Sequence, residues 1–222
     1  LYVYTGSNAH MFSQFRDSVI RAQFGSFQLH RKGYADYGKK DPYAYLIPGY
    51  AALERELLRD DDIDYVAQRM SYAGILAGDE KSVVVKGFAG NFASEARMDY
   101  GKTNRGFFPE QGSVQQAVLG ELALAKIAAE PNDGLTLLAT MKGGGISGAD
   151  FTITGTRKSF GENDVVNSMF MLADIGDMQT VLGVGDSAET VNIHLKDQAS
   201  FSRVEKKLQE LCRRYGLEYR KW

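Results

Sequence analysis

A single glycine separates two incompatible periodicities near the N-terminus, and this join constrains the fold more than any other feature of the chain. Before Gly25, residues 10–24 place Met11, Phe12, Phe15, Val19 and Ile20 at three- and four-residue steps, the spacing of one helical face. After it, Phe27 and Leu29 alternate with Gln28 and His30, so residues 26–31 read as a strand with one apolar and one polar face. Glycine ends a helix readily because it accepts the left-handed backbone that continuing residues avoid. A helix therefore runs straight into a strand, and that strand needs a sheet to receive it.

The following residues, 32–48, are polar and rich in tyrosine, with Gly33, Gly38, Pro42 and Pro48 as punctuation, and predict an exposed connection longer than a turn. Tyr34, Tyr37, Tyr43, Tyr45 and Tyr50 lie in or beside it. Tyrosine gives large contact area at small entropic cost, so these rings make either a partner-binding surface or a cover for a sheet edge. Pro48 and Gly49 open a helix through residue 59, which the acidic run Asp60, Asp61, Asp62 ends. Strands over 65–77 and 81–88, joined by Gly78, Asp79 and Glu80, predict a hairpin.

A second βαβ-like unit occupies the C-terminal part: a strand over 167–172, a short helix over 173–182, an alternating strand over 191–196, a helix over 199–215 and a strand over 218–222. On the long helix Phe201, Val204, Leu208, Leu211, Cys212 and Tyr215 form one apolar stripe. Two such units predict an α+β fold with helices layered on one sheet face. Between them, residues 91–163 hold a strand-helix-strand over 116–141, a glycine-rich turn at 142–148 and a strand over 149–156, which suits a small, mostly β subdomain.

At 222 residues and 44% hydrophobic content, the chain can bury a substantial core. A formal net charge of -2 and a pI near 6.0 argue against a nucleic-acid partner held on a broad basic face. No apolar run approaches the roughly 20 residues a bilayer requires, and no leader peptide is visible, a pattern that, read alone, points to the cytosol. Residues 1–9 fit neither a span nor a helix start and carry no functional reading.

Chemistry-bearing patterns are weak. In Lys142, Gly143, Gly144, Gly145 the lysine precedes the glycines and a strand follows, the reverse of a phosphate loop, so a hairpin tip is expected. His10, His30 and His194 lack metal-ligand spacing, and His30 and His194 meet only if their strands are neighbours. Asp60, Asp61, Asp62 and Asp64 lack the glycine and bidentate glutamate of a calcium loop. Glu95 and Arg97 read as a structural ion pair or helix start. Cys212, the only cysteine, excludes an intramolecular disulfide and reads as a buried, inert thiol. No catalytic residue, cofactor or metal is therefore expected. A free-standing enzyme or small-molecule-binding protein is the competing class, and it requires a convergent polar pocket.

Several segments together resemble one family. The run Phe24-Gly25-Ser26-Phe27-Gln28-Leu29-His30-Arg31-Lys32-Gly33-Tyr34 resembles the helix-to-strand join that opens the periplasmic core domain of MacB-like ABC transporter permeases, a family that includes the lipoprotein-releasing LolC and LolE group. Val83-Val84-Val85-Lys86-Gly87-Phe88 with Ser94-Glu95-Ala96-Arg97-Met98 is similar to a further segment of that family, with Gly90-Asn91 standing where Asp-Pro is usual. Gln116 to Ala123, Asn132 to Ala139, Phe151 to Thr156 and Leu217 to Trp222 resemble later segments in the same order.

The resemblance implies a Porter-like βαβ subdomain formed by residues 10–90 and 164–222, interrupted by a smaller, mostly β, Sabre-like subdomain at 91–163. It implies a domain in the periplasm, attached to the inner (cytoplasmic) membrane by spans on either side of this sequence. It would couple ATP-driven motion of the membrane helices to lipoprotein release or substrate export. The implied partners are a permease dimer partner, a cytoplasmic ABC ATPase acting through the membrane part, and a lipoprotein, carrier or adaptor protein. Partner contact is expected at Tyr34, Tyr37, Tyr43, Tyr45 and at Gly143, Gly144 and Gly145.

Overall fold

The computed structural model describes residues 24–38, 40–98, 102–158 and 169–222. Residues 1–9 and, apart from Phe24, the helix expected over 10–24 lie outside them, as does the start of the strand expected over 167–172. In chain order the strands are β1 (Phe27–Arg31), β2 (Ile47–Pro48), β3 (Ile63–Ala77), β4 (Ser82–Gly90), β5 (Arg105–Gly106), β6 (Gln116–Gly120), β7 (Gly134–Thr140), β8 (Ile146–Arg157), β9 (Phe170–Asp174), β10 (Ser187–Ala188), β11 (Thr190–Leu195) and β12 (Leu217–Lys221). The helices are α1 (Tyr50–Leu57), α2 (Phe92–Arg97), α3 (Glu121–Ile127), α4 (Ile175–Leu182) and α5 (Phe201–Tyr215).

Strand β3, fifteen residues long, organises the molecule. Its first half pairs antiparallel with β11, Val66 opposite Ile193. Its second half pairs with β4 on one edge and with β7 on the other, so Ile75 faces both Val84 and Leu138. The ladder then runs β4, β9, β6, β8, β7 and returns to β3, closing six strands into a ring. Closure leaves none of these six without a partner on either side, which removes the exposed edges an open sheet presents. Along the first half of β3, on the same edge that β7 takes further on, the sheet continues through β11 and β1 to β12.

Period-two alternation decides which side chains fill the ring. Met70, Tyr72 and Leu76 of β3, Val85 and Ala89 of β4, Leu135, Leu137 and Ala139 of β7, and Phe151 and Ile153 of β8 belong to one buried cluster. Leu124 and Ile127 of α3 and Met178, Val181 and Leu182 of α4 complete it. A second cluster joins Phe27 and Leu29 of β1, Val66 of β3 and Val191 and Ile193 of β11 to Leu53 and Leu57 of α1 and Val204, Leu208 and Leu211 of α5. Each such aliphatic side chain contributes about 1.5–3 kcal/mol by leaving water.

Local chemistry sets the helix ends. The Asn91 carboxamide accepts from the Ala93 and Ser94 amides at the start of α2, the Asp174 carboxylate accepts from Gly176 in α4, and Gly216 ends α5 at φ +65°. The strand-to-helix assignments expected around α1, α4, α5 and the β3–β4 hairpin all appear. The helices expected on one sheet face appear as α1 and α5, packed over β1, β3 and β11, whereas α3 and α4 share the core of the ring because the sheet closes on itself. Alternation tells which face of a strand is buried and says nothing about which strand lies beside it.

Gly25 occupies a place no other residue fills easily. Its φ is +68°, and a Cβ there would sit 2.6 Å from the Ile193 carbonyl oxygen. The close approach seats the chain against β11 as β1 begins, with the Ser26 amide donating to that same carbonyl at 2.8 Å. At the other end, β12 runs antiparallel to β1 and the Trp222 amide donates to the Ser26 carbonyl at 3.3 Å. The Phe24 and Trp222 rings stack with centroids 4.4 Å apart.

Candidate partner-contact surface

The tyrosine-rich connection folds into two short helical turns, Tyr34–Gly38 and Pro42–Tyr45, where a plain exposed loop was expected. The Asp41 side chain caps the second turn by accepting from the Ala44 amide. The connection is tied down at both ends. Glu218 of β12 accepts from the Gly33 and Ala35 amides at 3.2 and 3.3 Å, and Arg31 donates to the Ala44 carbonyl at 3.2 Å.

The tyrosines have separate roles. Tyr37 is 58% exposed and stacks on Tyr45 with centroids 6.3 Å apart. Tyr50 is buried in the cluster beneath α1. Tyr34 stacks on His30 and donates its hydroxyl to Glu189, a buried carboxylate. The same carboxylate accepts from the Ser71 amide at 2.6 Å, at the point on β3 where the partner changes from β11 to β7. Burial and the Glu189 charge push the Tyr34 hydroxyl well above the usual phenol range, so it stays a donor. Glu189 thus serves an amide that no strand pairs and anchors the tyrosine segment to the ring. Sequence reasoning missed it, because an isolated glutamate between two short strands carries no local signal.

Tyr43 brings the two predicted contact segments together. Its hydroxyl donates to the Thr140 carbonyl at 2.9 Å, at the last pair of the β7–β8 hairpin before its turn. The tip of that hairpin is the glycine-rich turn, with Gly143, Gly144 and Gly145 all exposed and the latter two at φ +78° and +84°. The Lys142 amide donates to the Leu182 carbonyl at 2.9 Å, fixing the turn against the end of α4. Between these segments lies a groove of about 650 Å³ lined by Tyr43, Tyr72, Ala73, Lys86, Phe88 and Phe170 among others. Beside it Val84, Ile75 and Leu138 are exposed and stand in one lateral row across β4, β3 and β7, with Val84 67% accessible. A row of aliphatic side chains on the outside of a closed ring is what a partner-binding surface offers.

The remaining chemistry-bearing residues are structural or separate. His30 and His194 lie on neighbouring strands, yet the register sets His30 beside Thr190 and His194 opposite Tyr65, so the two are apart. Both are buried. Burial, reinforced by Arg69 and Arg97, draws His194 down to about 4, and burial with Arg220 lowers His30. Glu95 and Arg97 both enter ion pairs, but with β3: Glu95 with Arg69 at 2.8 Å and Arg97 with Asp64 at 2.5 Å. Asp60 and Asp62 of the acidic run bind Lys207 and Arg203 of α5. Cys212 is buried and its thiol is pushed up to about 11 by that burial.

A scan against protein-family models finds no match, and neither does a search of curated proteins. Solved structures do match. The periplasmic region of MacB from Actinobacillus actinomycetemcomitans superposes with a TM-score of 0.66 at 17% identity, over 91% of each chain. The extracellular domain of the noncanonic ABC-type transporter YknZ from Gram-positive bacteria gives 0.62 at 9% identity, over 88% of this chain and 98% of its own. In fold, then, this chain is a domain of the kind seen in the periplasmic region of MacB and in the extracellular domain of the ABC-type transporter YknZ.

Proposed function

We propose that the chain is the periplasmic domain of an ABC transporter permease and that it couples ATP-driven movement of membrane helices to lipoprotein release or substrate export. The observation that carries this reading is the junction of Phe24 with Trp222: β1 and β12 lie side by side, so both ends of the fold lead to one place. A domain inserted between two adjacent membrane spans requires that geometry, and the MacB-like fold supplies the context. No helix among the described residues is long and apolar enough to cross a membrane, so on this reading the anchoring spans flank the domain.

On the same reading the Porter-like and Sabre-like subdomains divide at residues 91 and 163, and the protein works as a dimer beside a cytoplasmic ABC ATPase. The groove beside Tyr43, with the glycine turn and the Val84–Ile75–Leu138 row, receives a lipoprotein, carrier or adaptor protein. The domain binds no nucleic acid or cofactor and performs no catalysis. Force reaches it through the segment before Gly25.

The test is the side of the membrane on which the domain lies. In the full-length protein, Lys142→Cys puts a thiol at the exposed turn, while native Cys212 is buried and poorly ionised and gives little background. Labelling by a membrane-impermeant maleimide in cells with a permeabilised outer membrane is the expected result. Labelling only after the inner membrane is broken would place the domain in the cytoplasm and refute the reading.

A further inference from the structure

Strand β3 has a break in its pairing, and the tyrosine segment covers it. The last β3 residue opposite β11 is Arg69, paired with Thr190, and the first opposite β7 is Gly74, paired with Ala139. Residues 70–73 therefore have no strand on that edge among the described residues. Backbone groups on an unpaired edge need other partners. The Glu189 carboxylate meets one of them, accepting from the Ser71 amide at 2.6 Å.

The segment spans the break from side to side. The Tyr34 hydroxyl donates to Glu189, next to the start of β11, and the Tyr43 hydroxyl donates to the carbonyl of Thr140, the last residue of β7, at 2.9 Å. The turns Tyr34–Gly38 and Pro42–Tyr45 form one body, because the Lys40 and Asp41 amides both donate to the Tyr37 carbonyl, at 3.0 and 3.2 Å, and the Tyr37 ring stacks on Tyr45. Gly33, at φ +88°, stands before the first turn as a hinge, while Leu46 and Ile47 are buried and fix the far end. Between those points none of the described side chains is fully buried. Few buried apolar contacts put a segment at the low end of local stability. The remaining ties, from Glu218 to the Gly33 and Ala35 amides and from Arg31 to the Ala44 carbonyl, lie wholly or partly at the surface, where water replaces them.

We propose that the two turns form a strap that opens about Gly33 while the rest of the domain stays folded, latched shut by the Tyr34–Glu189 and Tyr43–Thr140 hydrogen bonds. Pro42 and Tyr43 supply one wall of the 650 Å³ groove, so opening removes that wall and bares the unpaired edge of β3. The strap regulates access to the groove, and this purpose rests on the reading that a partner docks there. The opening itself does not.

The test is amide hydrogen exchange of the 222-residue chain, read by mass spectrometry. Turns this short do not hold their own hydrogen bonds once released, so opening of the strap exposes their amides. In the parent, the two turns exchange at rates that low urea leaves unchanged, the mark of local opening. Tyr34→Phe keeps the ring and removes one hydrogen bond to a carboxylate, and speeds exchange in both turns roughly tenfold or more. Tyr37→Phe, at an exposed ring, leaves them as they were. Val204→Ala, in the cluster that β1 and β11 share with α5, speeds exchange in those strands but not in the turns. Turns that accelerate with the strands in Val204→Ala exchange only by global unfolding, which overturns the proposal. Acceleration by Tyr34→Phe confined to the first turn overturns it too, since the groove wall then stays in place, and so does an equal effect of Tyr37→Phe. No partner or membrane enters the experiment, so it stands or falls separately from the maleimide labelling.

Discussion

Removing Glu95 should be among the most damaging single changes in the described core. Its side chain is fully buried, and its two oxygens accept from Arg69 Nε and Nη2, each at 2.8 Å, in a bidentate arrangement that ties α2 to β3. Glu95→Leu keeps the volume but leaves the Arg69 guanidinium, itself only 18% exposed, without its carboxylate. Breaking a buried pair from one side costs about 3–5 kcal/mol. Against a total stability of about 5–15 kcal/mol for a domain, that is a large fraction. The double variant Arg69→Met/Glu95→Leu removes both charges and should recover most of the loss, because the desolvation of each ion disappears with it. Urea denaturation followed by far-ultraviolet circular dichroism measures all three proteins. A single variant within about 0.5 kcal/mol of the parent, or a double variant no better than the single, would refute the assignment of this pair.

Three further outcomes follow from the packing. Val204→Asp and Leu208→Asp each bury a carboxylate under α5 and should lower stability by about 4 kcal/mol or more, whereas Lys206→Ala on the exposed face should change the melting temperature little. Gly25→Ala should cost about 2 kcal/mol or more in chemical denaturation, and Gly216→Ala about 1 kcal/mol, because both sit at positive φ but only Gly25 faces the Ile193 carbonyl; equal costs would remove the argument from close approach. His194 is about 4 in the folded state against 6.5 when unfolded, so the unfolded chain binds the extra proton first and stability falls as pH drops from 6.5 to 4, by roughly 3 kcal/mol. His194→Gln should flatten that part of the pH profile, and an unchanged slope would show that other groups set it.

What sequence periodicity revealed, and what it hid, follows from the range of the interactions. The β1 faces, the β3–β4 hairpin and the Val204–Leu208–Leu211 stripe of α5 were legible because three or four neighbouring residues state each of them. Ring closure was hidden, since the pairing of Ile75 with Leu138 joins residues far apart in sequence that alternate like any other strand residues. The Arg69–Glu95 pair was hidden for the same reason, and the adjacent Glu95 and Arg97 invited a local pairing that the helix geometry of α2 does not make. The tyrosine segment and the glycine turn were each recognisable from composition. Their meeting through Tyr43 and Thr140 depends on the tertiary path of β7. Glu189 had no sequence signal, because its significance comes from burial.

The central claim is mechanical coupling through the segment that enters at Gly25, and its most direct measurement is transport by the full-length permease carrying flexible glycines inserted between Gly25 and Ser26. Complementation of a strain lacking the permease is scored with protein levels matched and ATP hydrolysis by the partner ATPase assayed alongside. Coupling through a rigid connection predicts that transport is lost while hydrolysis continues, since the insertion spares the chemistry and breaks the link. Transport that survives the insertion at normal protein levels would contradict the account.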